Sequence, residues 1–212
     1  GFPNRALRKV IESDNLFIRL LKRGISCTFA NAYALRKGHS WEAAPRSVTT
    51  VATLAAFGGK TRVAEDMERG QAVYHDLTRA WLNQRVDSPF PEIDEATAAQ
   101  HLLEISRTVR FTLFEYFLTD IAGHRGTREK QRAVLGSLDR FIGSLMTNLD
   151  MESELLLLVS DHGNIEVPER KAHSLNPVPF TAYGSGEEAA RHGMRSILDV
   201  TPRIVDVLTD EH

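Results

Sequence analysis

The chain has 212 residues, 42% of them hydrophobic and 25% charged, with a formal net charge of −2 at pH 7. That balance excludes a disordered chain and gives no electrostatic case for a nucleic-acid partner. No apolar run approaches the ~20 residues that span a bilayer as a helix, so no membrane partner is expected. A single cysteine, Cys27, excludes an internal disulfide and fits a reducing, cytoplasmic setting.

Gly1-Phe2-Pro3-Asn4 reads as the middle of a loop, so an upstream portion is expected. A helix is expected over 4–12, with Asn4 as its cap and Leu7, Val10 and Ile11 on one face. A second is expected over 14–23, striped by Leu16, Phe17, Leu20 and Leu21 and stopped by Gly24. A strand over 25–30 holds Cys27, which fits a buried filler better than a nucleophile.

Residues 34–92 break this rhythm. Gly38, Pro45, Gly58-Gly59, Gly70, Pro89 and Pro91 punctuate helix-compatible pieces at 49–57 and 78–84, and the segment reads as an inserted cap or lid. The rhythm then resumes: a helix over 94–107, an aromatic-rich strand over 111–118, a long helix over 129–149, strands over 155–159 and 179–183, and a closing helix over 197–208. The expected fold is α/β, a mostly parallel sheet with helices on both faces, built from 1–33 and 93–212 with the cap at 34–92.

In such sheets ligands bind at the carboxyl ends of the strands. One apolar run ends in Thr119-Asp120, with His124 four residues on, and another ends in Ser160-Asp161-His162-Gly163-Asn164. His173 follows in a loop closed by Asn176-Pro177-Val178-Pro179. Two Asp and three His near strand ends suit Zn²⁺ or Mn²⁺ better than Mg²⁺, which prefers an all-oxygen set. Asp120 and Asp161 taken singly also fit helix N-caps. Asn164 fits either a turn or an amide that orients a phosphate oxygen. His75, within the cap, reads as a surface histidine or a substrate-facing one, and Lys60, Arg62 and Arg79 as solvated cations or partners for a substrate anion. His39, His101, His192 and His212 read as exposed.

The pattern Asp120-x-x-x-His124, Ser160-Asp161-His162-Gly163-Asn164 and His173-x-x-Asn176-Pro177-Val178-Pro179 resembles the alkaline phosphatase superfamily. The nearest branch is that of cofactor-independent phosphoglycerate mutase and phosphopentomutase. The likeness covers residues 94–208 and, more loosely, 1–33, and includes Asp199-Val200-Thr201-Pro202 before the last helix. It departs in Ser174, where the family often has Thr.

The resemblance implies an alkaline phosphatase-like fold and a site for two divalent ions. One ion would be held by Asp120, His124 and His173; the other by Asp161 and His162 with an Asp from the N-terminal region. It implies a Ser or Thr nucleophile, expected upstream of Gly1, that takes a phosphoryl group from a small phosphorylated metabolite and passes it to water (phosphatase) or another hydroxyl (mutase). Residues 1–33 supply no such hydroxyl: Ser13 and Asp14 fit helix capping, and Ser26 and Thr28 lie inside a strand. This chain alone is therefore expected to be inactive. The other reading is a catalytically silent homologue, or a binding module keeping part of the site.

Overall fold

The computed structural model describes residues 3–34, 47–86, 89–170 and 172–209. The N-terminal helices form as their caps dictate. Asn4 Oδ1 accepts the Leu7 amide at 2.9 Å to start α1 (Arg5–Ser13). Asn15, rather than Asp14, caps α2 (Leu16–Leu21) through the Ile18 amide at 3.1 Å. Gly24, at φ +73°, turns the chain into β1 (Cys27–Phe29), where an L-residue would be strained. Burial raises the Cys27 thiol to about 11, so it stays protonated and inert at neutral pH.

Among the described residues the sheet comes in three two-stranded pieces. β1 pairs in parallel with β4 (Phe111–Leu113), and β2 (Ala32–Ala34) pairs in parallel with β3 (Arg62–Val63). β5 (Leu155–Val159) runs antiparallel to β6 (Phe180–Gly184), with Leu155 opposite Gly184 and Val159 opposite Phe180. This last pair is the antiparallel member of the set, within the mostly parallel sheet expected. The connection from β5 to β6 contains no described helix, and a parallel pair needs a crossover. The strand expected over 111–118 is also shorter, because the chain enters α7 (Leu118–Arg125).

Helices cover both faces of the parallel pair. On one side Phe17, Leu20, Ile25, Cys27, Phe29, Val51 and Val205 form a core that joins α1 and α2 to α3 (Val48–Ala56) and α10 (Val200–Thr209). Phe17 anchors it, with ring centroids 5.2 Å from Phe57 and 6.4 Å from both Phe29 and Phe111. On the other side Ala98, Leu103, Phe141 and Leu145 pack α6 (Glu95–Ser106) and α8 (Arg128–Asn148) against Ala30, Phe114 and Leu156. A third, smaller core joins Ala32 to Met67 of α4 (Ala64–Glu68) and Leu82 of α5 (Ala80–Asn83). Among the described residues no helix is long and apolar enough to cross a membrane.

Candidate metal centre

Three segments converge beyond the carboxyl ends of β4 and β5. Asp120 lies in the first turn of α7, one turn before His124, so both side chains project from one face of that helix. The loop after β5 supplies Asp161 and His162, and the returning chain supplies His173. That return is held in place: the Ser174 amide donates to Gly163 O at 2.9 Å. Glu166 ties the two sides together, accepting the Asn164 amide at 2.6 Å and the Asn176 side-chain amide at 3.1 Å, along with the Ser174 hydroxyl. The Ser174 hydrogen bond holds the Glu166 carboxyl below its ordinary range. A Cβ on residue 163 would meet Ser174 Oγ at 2.2 Å and Glu166 Oε1 at 2.5 Å, so this junction closes only around glycine.

Asp120 Oδ1 is the hub. It lies 3.2 Å from His124 Nε2, 3.4 Å from His173 Nε2 and 3.8 Å from His162 Nε2. His124 Nε2 and His173 Nε2 are 3.0 Å apart, and the His162 ring stacks on His173 with centroids 3.6 Å apart. One ligand atom each from Asp120, His162 and His173 fits within 4.8 Å. Two imidazole nitrogens in contact repel through their lone pairs unless a proton or a cation lies between them, and a carboxylate oxygen beside both completes a donor set of the kind that holds Zn²⁺. Ligand bonds of about 2.0–2.2 Å in a tetrahedral shell put neighbouring donor atoms roughly 3.3 Å apart, close to the spacings around Asp120.

The Asn164 side chain is buried, and its amide nitrogen donates to Asp120 Oδ1 at 3.0 Å and reaches Asp120 O at 3.4 Å. It orients the hub carboxylate, as the partners behind metal ligands commonly do. Gly123 makes room: a Cβ there would sit 2.2 Å from Asn164 Oδ1.

The structure thus brings together Asp120, His124, His162, His173 and Asn164. Asp161 stands at the rim, highly exposed, with Oδ2 3.6 Å from the neighbouring His162 Nε2. His75 is distant in sequence and buried, at 5% exposure, which corrects the surface reading. His101 is half-buried against Gly70 rather than exposed. Arg79 is buried and donates to Met67 O and Pro91 O; Arg62 donates to Phe29 O and Gln71 O, so both guanidinium groups serve the backbone. His39 and His212 lie outside the described residues. Glu166 went unread in the sequence because its importance comes from loop closure, and no local spacing announces that.

A family model described as Metalloenzyme superfamily matches residues 89–211. The 2,3-bisphosphoglycerate-independent phosphoglycerate mutase of Acetivibrio thermocellus is 25% identical over 150 residues, covering 65% of this chain and 29% of that protein. The enzyme of the same name from a Cyanothece species is 30% identical over 191 residues, covering 73% of this chain and 35% of that protein. The chain thus spans about a third or less of the length of these curated relatives. The solved structure of the PH0037 protein from Pyrococcus horikoshii superimposes with a TM-score of 0.50 at 20% identity, covering 79% of this chain and 40% of that one, and supports the α/β fold. With the matched stretch taking in Asp120, His124, Asp161, His162 and His173 and more than half of the sequence, the chain belongs to the Metalloenzyme superfamily.

Proposed function

We propose that the chain carries the metal-binding half of a phosphoryl-transfer enzyme, a phosphomutase or phosphatase acting on a small phosphorylated metabolite. The observation that carries this reading is the convergence of Asp120 Oδ1 with the Nε2 atoms of three histidines, at 3.2, 3.4 and 3.8 Å. Family membership and the phosphoglycerate mutase names of the relatives support it. Asp120, His124 and His173 would hold one divalent ion, and His162 with the rim carboxylate of Asp161 would contribute to a second. Imidazole-rich sets of this kind take Zn²⁺ or Mn²⁺. When bound, the ions would neutralise phosphate oxygens and lower the pKa of an attacking hydroxyl.

The chain's own residues do the positioning. Asn164 fixes the Asp120 carboxylate, and Glu166 fixes the loop that carries His173. The nucleophilic hydroxyl in this reading is a Ser or Thr from sequence before Gly1, consistent with the limited share of the relatives that the chain spans. Of the segment 34–92 expected as a cap, α3 packs into the first core and Val73 and Leu77 into the second, so the part that would serve as a cap is the smaller unit around Met67 and Leu82.

The test uses the full-length protein loaded with Mn²⁺ or Zn²⁺ and assayed for phosphoryl transfer from phosphate monoesters to water and to acceptor hydroxyls. Asp120→Asn should lower turnover at least about a hundredfold, because it removes the charge from the hub of the ligand set. Undiminished turnover in that variant, or no phosphoryl transfer by the metal-loaded wild type, would overturn the reading.

A further inference from the structure

A second cluster lies at the same end of the β1–β4 pair, next to the metal centre. Asn31 is buried, and its side chain accepts the Glu115 amide and donates to Glu115 O, both at 2.8 Å, pinning Glu115 just beyond β4. The Glu115 carboxylate accepts the Tyr33 hydroxyl at 3.1 Å and the Thr49 hydroxyl. Among the described residues it forms no ion pair with a lysine, arginine or histidine side chain. Among the described side chains the Glu115 carboxylate is thus met only by neutral hydroxyls, and half-buried carboxylates normally also meet a cation or a fuller set of hydrogen-bond donors.

An aromatic cluster extends from Tyr33, whose hydroxyl this carboxylate accepts. Tyr33 stacks on Phe117 with centroids 6.1 Å apart and an interplanar angle of 20°, and Phe117 immediately precedes α7, the helix that carries Asp120. Beneath them lies His75, its ring 5.2 Å from Phe117, 6.3 Å from Tyr33, 5.1 Å from Trp81 and 4.3 Å from Tyr74. Among the described residues its buried Nδ1 has no hydrogen-bond partner. The loop that presents His75 holds Leu77 and Arg79 at φ +66° and +68°, conformations that cost energy in residues other than glycine and that concentrate at functional sites. On the metal side Asp161 is near enough to push the Glu115 carboxyl up electrostatically, adding to the larger effect of burial.

We propose that Glu115, Tyr33 and the aromatic walls around His75 form the recognition subsite for the organic part of the substrate, and that this part bears hydroxyl or ammonium donors rather than a carboxylate. The inference rests on the phosphoryl-transfer reading of the adjacent metal centre. A donor group satisfies Glu115 and leaves the ring faces to pack against C–H groups or a cation. A substrate carboxylate in the same place would face Glu115, and like charges brought together at an interface oppose binding strongly. The chain is thereby set apart from a protein that acts on phosphoglycerate, whose organic part is an acid.

Calorimetric titration of the Mn²⁺- or Zn²⁺-loaded full-length protein tests this with three probes: glycerol 3-phosphate, O-phosphoethanolamine and 3-phosphoglycerate. The first and last differ chiefly in a hydroxymethyl group replaced by a carboxylate. At least one donor-bearing probe should bind about tenfold or more tighter than 3-phosphoglycerate, and comparison of the two donor probes separates hydroxyl from ammonium recognition. Glu115→Gln, with its fold checked by circular dichroism, should bring the ratio to within about twofold of unity, since the repelling charge is gone. Equal or tighter binding of 3-phosphoglycerate by the wild type overturns the proposal without any variant. So does a preference that survives in a folded Glu115→Gln, or metal binding with no measurable binding of any probe. Failure to bind metal at all would instead remove the underlying reading of the centre.

Discussion

Asp120 shows how one side chain can organise a site. Its Oδ1 meets His124, His162 and His173 and accepts a hydrogen bond from Asn164, and that contact requires glycine at position 123. His75 makes the opposite kind of demand. Burial depresses its pKa from the ordinary 6.5 to about 4, so the folded protein keeps it neutral. Between those values the unfolded chain binds the extra proton and the folded chain does not, so this group's contribution to stability is complete above pH 6.5 and is lost as pH falls toward 4. The shift corresponds to about 3 kcal/mol. Urea denaturation of the wild type from pH 7 to 4.5 should lose roughly that much, and His75→Gln should flatten the profile over this window. A parallel slope in both proteins would show that His75 is not the group responsible.

At the level of elements, the site depends on a loop closure more than on a strand tip. β5 and β6 lie antiparallel and leave between them the segment that carries both Asp161-His162 and His173. Glu166 spans that segment through Asn164, Ser174 and Asn176. Glu166→Gln keeps the size but cannot accept the same three donors, so it should lower divalent-metal affinity about 10- to 100-fold, in the range found when partners behind metal ligands are removed. Thermal unfolding should change little, since Glu166 is exposed and outside the cores. Titration calorimetry with Zn²⁺ reads the first effect and scanning calorimetry the second; unchanged metal affinity would show that the loop holds His173 without this clamp.

Periodicity and caps carried most of this architecture. Leu16, Phe17 and Leu20 of the expected stripe do face the first core, while Leu21 is exposed, and Asn4 does cap its helix. Legibility ended where tertiary contacts decide. An apolar run such as Leu155–Val159 states that it is a strand but not which neighbour it pairs with or in which direction. The sequence points to a strand tip for Asp120 because the aromatic run before it hides the point at which Asn31 replaces backbone pairing and α7 begins. Glu115 and Tyr33 went unread for a related reason: they are separated by 82 residues and meet only across the β1–β4 junction.

At the scale of the whole molecule, helices on both faces of a short parallel pair bring α7, the loop after β5 and the returning His173 segment to one end, with the aromatic cluster alongside. The molecule's chemistry therefore stands or falls on whether a divalent ion is held at that end. Anomalous X-ray diffraction from crystals of the protein soaked with Mn²⁺ or Zn²⁺ reads this directly. A peak should lie about 2.0 to 2.2 Å from the Asp120 carboxylate and the Nε2 atom of His173, with His124 or His162 completing the shell. A peak away from Asp120, or none at saturating metal, would contradict the assignment.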